Sequence, residues 1–106
     1  MDSFVVVRLD GAALLWLAGT LDGAVATDLH PVLQGLLDTD ARPLTVDLVE
    51  VIAIDDGAIA VLAAGAARAA QLGSALELRL RGGHAVQVRD AAQLRSALIR
   101  AYPTAA

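Results

Sequence analysis

Twelve consecutive residues hold most of the chemistry that this chain could do: Val46-Asp47-Leu48-Val49-Glu50-Val51-Ile52-Ala53-Ile54-Asp55-Asp56-Gly57. An apolar strand runs into two adjacent carboxylates and a glycine, and an alanine-rich helical segment follows. The free N–H groups and the dipole at a helix start favour negative charge there. Asp55 and Asp56 therefore admit three readings: caps of a helix, a charged turn that docks a partner, or ligands and bases of a reaction. The third is the poorest. A hard cation needs several converging oxygens, and only Asp22 offers a third carboxylate nearby. Asp22 itself also suits a loop after a strand or a helix cap.

Other groups that could act chemically are sparse. There is no cysteine, which removes disulfides, thiolate metal sites and thiol nucleophiles. All eight basic residues are arginine, so Schiff-base chemistry and a phosphate-loop lysine are excluded. Gly82-Gly83 lacks the spacing of a phosphate loop. His30 and His84 fall on different elements with no ligand spacing, and read as surface histidines. Asp47 reads as a structural acid in mid-strand, Trp16 as a half-buried sheet residue. Arg79 and Arg81 read as a solvated strand face. No catalytic residue, metal or cofactor is expected.

The elements that must position these residues follow from pattern. Phe4–Leu9 and Ala12–Ala18 read as strands joined by the hairpin signal Asp10-Gly11. Gly19 to Gly23 reads as a loop. Leu29, Val32, Leu33, Leu36 and Leu37 repeat with helical period, giving a helix from about Thr27 to Leu37, with Thr27 or Asp28 as cap and Pro31 in its first turn. Asp38 to Pro43 is a connector. Leu44–Ile54 makes a central strand with a bend at Glu50. A second helix spans about Asp56 to Leu72, with Ile59, Leu62, Ala66 and Ala70 on one side and Gly73 as its stop. Ala75–Arg81 alternates as a strand with one wet face, Ala85–Arg89 forms a short last strand, and Asp90 caps a helix to about Ala101. From Pro103 the chain should fray. Helices alternating with strands predict an α/β fold with a mixed sheet, and 106 residues fit one domain spanning 1–106.

Charge is distributed unevenly. Residues 1–56 hold ten acids and two arginines; residues 57–106 hold six arginines and two acids, for a net charge of -4. That is too sparse a basic array for a nucleic-acid binder, and three aromatic residues offer no stacking platform. The longest apolar run, Ala58 to Ala67, is about half a membrane span, and Met1-Asp2-Ser3 lacks the basic start of a signal peptide. A cytoplasmic protein without membrane insertion is expected.

Two motifs in this order resemble the STAS domain family, which includes bacterial anti-sigma factor antagonists. Leu17-Ala18-Gly19-Thr20-Leu21-Asp22 stands where family members commonly read Leu-Ser-Gly-Glu-Leu-Asp. Val46-Asp47-Leu48 leading to Ile54-Asp55-Asp56-Gly57 stands where they read Val-Asp-Leu and then Ile-Asp-Ser-Ser-Gly. The likeness covers Phe4 to about Arg81. It implies a STAS-like mixed sheet of four to five strands with three to four helices packed on it, and a non-enzymatic regulatory module. The implied partner is an anti-sigma factor or serine kinase, bound through Asp22, Gly23, Asp55, Asp56, Gly57 and Ile59. The alternative implied by the family is a STAS subunit of a lipid-type ABC transporter, touching its ATPase.

Two departures stand out. Asp56 occupies the position of the serine that is phosphorylated in antagonists. A carboxylate bears about one charge against roughly 1.5–2 for phosphoserine, so it would mimic the modified state only in part. After Arg81 only Gly82-Gly83-His84 precedes Ala85–Arg89, so the family's intermediate helix is either missing or fused with the last one. Oligomeric state is not legible.

Overall fold

The alternation of apolar strands and helices builds a two-layer α/β domain. The computed structural model describes residues 4–9, 12–39 and 44–102. Five strands form one sheet in the order β1 (Phe4–Leu9), β2 (Ala12–Leu21), β3 (Leu44–Ile54), β4 (Leu76–Arg79), β5 (Ala85–Val88). The two edge pairs, β1 with β2 and β4 with β5, are antiparallel, whereas β2, β3 and β4 are parallel. Parallel neighbours require crossovers, supplied by α1 (Gly23–Asp38) and α2 (Asp56–Gln71). A third helix, α3 (Ala91–Ala101), follows β5, and α2 packs between α1 and α3. The expected mixed sheet with helices is thus present, with five strands and three helices among the described residues.

The core lies between the sheet and this helix layer. Strand residues at alternate positions supply Leu15, Leu17, Leu44, Val46, Leu48, Leu76 and Leu78; the helices supply Leu29, Leu33, Leu37, Leu62, Leu94 and Leu98. Small residues set the spacing. A Cβ added at Gly65 of α2 would come within 2.5 Å of a Leu33 methyl on α1, so the glycine lets the two helices approach. On the sheet's other face Leu14 and Trp16 are half-buried, and Glu77, Arg79 and Gln87 are exposed.

Several expected boundaries shift. Gly19–Leu21 continue β2 instead of forming a loop, Gly19 adopting φ 78 beside a register irregularity. Helix α1 begins a turn earlier than expected because Asp22, not Thr27 or Asp28, caps it. Pro31 consequently sits inside the helix. Both Pro31 and Thr27, whose carbonyl loses its usual donor, are exposed, so water can serve that carbonyl. On α2, Ala69 is buried and Ala70 is exposed, the reverse of the expected stripe. The turn Asp10-Gly11 lies outside the described residues, although Leu9 pairs with Ala12 across it. Asp40–Pro43 and the segment from Pro103 also lie outside them.

The bend expected at Glu50 is a pair of irregularities in β3. Trp16 pairs with Asp47 but Ala18 with Glu50; Gly19 pairs with Val51 but Thr20 with Ala53. Each step gives β3 one residue more than β2, the signature of a bulge. Asp47 braces the first with its side chain, accepting from Val49 N–H at 3.0 Å. Tyr102, 3% exposed, donates its hydroxyl hydrogen to the Leu48 carbonyl there and accepts from Arg81 N–H at 3.0 Å.

After β4 the chain turns at Gly82-Gly83, both at φ 86, into β5. A hairpin therefore stands where the family pattern has its intermediate helix.

Candidate functional site

Strands β2 and β3 run parallel and end side by side, Leu21 opposite Ile54. Each then turns directly into a helix, so the N-termini of α1 and α2 emerge together. Asp22 ends β2 in an extended conformation, and its side chain accepts from Val25 N–H at 3.1 Å. Asp55 does the same for α2, accepting from Ala58 N–H at 2.9 Å. Acids serve well here because they satisfy an orphan donor and oppose the positive end of the dipole.

The two turns are joined. Asp55 N–H donates to the Leu21 carbonyl at 2.9 Å. A Cβ at Gly57 would lie 3.8 Å from Gly23 Cα and 3.4 Å from Asp55 Oδ1, ordinary contact distances that show how near the backbones run. The paired helix starts form one ledge, edged by Asp22, Asp55 and Asp56.

Of the residues singled out in the sequence, Asp22, Gly23, Asp56 and Gly57 are exposed and come together on this ledge; Asp55 is half-buried, held by its cap. Ile59 is the correction. Its side chain is 4% exposed and supports the turn from within the core, so it presents no surface to a partner. Among the described residues, no group of three potential metal ligands converges. Asp22 and Asp55 direct oxygens at backbone donors, not at a common point.

Ile52 is the residue that sequence reading missed. It is 60% exposed, at the second irregularity of β3, three residues before Asp55, a separation of about 10 Å along a strand. Read from sequence, Val51–Ile54 is one buried apolar run. The available signal was Glu50, which interrupts the alternation and moves the next inward position to Val51.

The remaining polar residues have structural partners or open surface. Asp47 Oδ2 lies 3.7 Å from Arg79 on the neighbouring strand, and Arg68 pairs with Asp38 at 3.1 Å across the α1–α2 layer. His30 and His84 are exposed and lie on different elements. No helix among the described residues is long and apolar enough to cross a membrane.

Comparison with known proteins agrees with this geometry. The family model described as "Mlab, STAS domain" matches residues 4–102. No curated protein matches the chain. Among solved structures, the crystal structure of Mglu is similar, with a TM-score of 0.65 and 26% identity over 74% of this chain. The match takes in 19% of the Mglu chain, so it concerns one part of a larger molecule. With nearly its whole length matched by the family model and its sheet and helices arranged accordingly, this chain belongs to the STAS domain family.

Proposed function

We propose that this chain is a non-enzymatic docking module of the anti-sigma factor antagonist type, binding a regulatory serine kinase or anti-sigma factor in the cytoplasm through the ledge at the starts of α1 and α2. The observation that supports it best is the joining of the two helix starts through Asp55 and Leu21, which presents Asp22, Gly23, Asp56 and Gly57 on one surface. Ile52, exposed about 10 Å from Asp55 along β3, adds an apolar group at the margin of the ledge, and interfaces commonly combine apolar anchors with a charged rim.

Asp56 stands at the phosphoacceptor-equivalent position, exposed in the first turn of α2. With a carboxylate there and Gly57 next to it, a serine kinase finds no hydroxyl at either position. The contact is therefore either constitutive or regulated by means other than serine phosphorylation at this turn. That same fact favours a second reading, in which the ledge holds the ATPase subunit of a lipid-type ABC transporter in an unswitched attachment.

Co-purification from the native host with wild type, Asp56→Ser and Asp56→Arg tests both. The expected result is one partner retained by wild type and lost with Asp56→Arg. Its identity as kinase or ATPase separates the readings. Identical partners for all three forms, or none for any, would remove position 56 from the interface.

A further inference from the structure

We infer that the chain has a second interaction surface, a groove between α3 and the β4–β5 hairpin that takes an acidic peptide segment of a partner protein. The groove encloses about 880 Å³. Its floor is apolar: Leu80 is 8% exposed, and Val86, Ala97 and Ala101 are half-buried. Its rim is basic, with Arg81, Arg89 and Arg100.

Among the described residues, three of the four arginines that have no carboxylate partner gather at this surface; the fourth, Arg95, is exposed on α3 outside the groove lining. Arg68 and Arg79 have carboxylate partners. Among the described residues, Arg81, Arg89 and Arg100 have none within ion-pair distance. The acid in the groove wall, Asp90, is engaged as the cap of α3, accepting from Gln93 N–H at 2.8 Å. Arg89 is held in place by Gln87 Oε1 at 3.1 Å, a neutral acceptor that leaves its charge uncompensated. Guanidinium groups of this kind suit carboxylates, which they can grip with two parallel hydrogen bonds.

The shape selects a peptide over a small molecule. Most lining residues, including His84, Gln93 and Ser96, are exposed. Small-molecule sites typically bury about 70–90% of the ligand, which an open groove does not. Nucleic acid is disfavoured because three arginines make too sparse a basic array and no Phe, Tyr or Trp lines the groove for stacking. Arg89 precedes the first turn of α3 and Arg100 lies in its last, about 15 Å apart along the axis. The fitting segment thus has acids at both ends of a short apolar stretch.

The probe is a fluorescein-labelled nonapeptide, Glu-Glu-Leu-Ala-Leu-Ala-Leu-Glu-Glu, followed by fluorescence anisotropy on the full chain. Binding should weaken about threefold to tenfold for Arg81→Gln and again for Arg100→Gln, and weaken in 0.5 M salt, while Asp22→Asn and Asp56→Asn leave it unchanged. Nitrogen–proton correlation spectra of the wild type guard against misfolded variants: the peptide should move the amides of Ala92, Ser96 and Ala97. Equal affinity for the all-Gln peptide, or shifts confined to the ledge of α1 and α2, would overturn the proposal. So would dodecanoate binding at the groove more tightly than the peptide, which would make it a site for lipid-like anions.

Discussion

Asp55 and Asp56 are adjacent, yet they answer to different forces. Asp55 closes a hydrogen bond to Ala58 N–H, so Asp55→Ala should destabilise the fold by about 1 kcal/mol in urea unfolding, the usual loss for a missing cap. Asp56 is exposed; replacing it should leave the midpoint nearly unchanged while altering partner recovery. Tyr102 is the other decisive side chain. Tyr102→Phe strands the Leu48 carbonyl and the Arg81 N–H, and should cost about 1–3 kcal/mol. Burial raises the Tyr102 pKa above its ordinary 10.0, against the smaller lowering effects of the Arg81 backbone N–H and charge. The folded state therefore favours the neutral phenol, and its contribution is complete below pH 10. It declines as pH rises through the folded value, because the unfolded chain ionises first. Stability measured across that alkaline range should fall in the wild type, and this part of the fall should vanish in Tyr102→Phe.

At the scale of elements, glycine marks where backbone geometry decides. Helix α2 ends in a Schellman arrangement, with Ser74 N–H to Ala69 carbonyl at 2.8 Å and Gly73 N–H to Ala70 carbonyl at 3.0 Å. Gly73 has φ 73, so Gly73→Ala should cost about 1 kcal/mol by thermal unfolding. Gly65→Leu should cost more, about 2–3 kcal/mol, by driving a side chain into the space of Leu33. These stops and stripes were readable because periodicity and turn chemistry are local: the alternation of Leu76, Leu78 and Leu80 and the cap at Asp90 survive intact in the structure. What sequence concealed was set by neighbours. Gly19–Leu21 looked like a breaker-rich loop, but pairing with Val51–Ile54 holds it as strand. That extension brings Asp22 level with Asp55 and starts α1 early enough to enclose Pro31. Ile52 escaped notice for the same reason, since a bulge is a relation between two strands. Ile59 was misplaced because its distance from the acids along the chain says nothing about the face it occupies.

Across the whole molecule, the lopsided charge of the sequence becomes two separate surfaces. Asp22, Asp55 and Asp56 gather where α1 and α2 begin, whereas Arg81, Arg89 and Arg100 border the groove beside α3. One core nonetheless runs beneath both, from Leu15 of β2 to Leu98 of α3. Unfolding by denaturant should accordingly be a single transition, with Trp16 fluorescence and far-ultraviolet circular dichroism giving the same midpoint. The phenol of Tyr102 joins the last described stretch to the middle strand, 54 residues upstream. During synthesis, then, the residues of β3 are made long before their fastening exists. Until Tyr102 has cleared the ribosome, the irregular midpoint of β3 has only the local brace from Asp47, and the native state is reached only after translation has passed the end of α3.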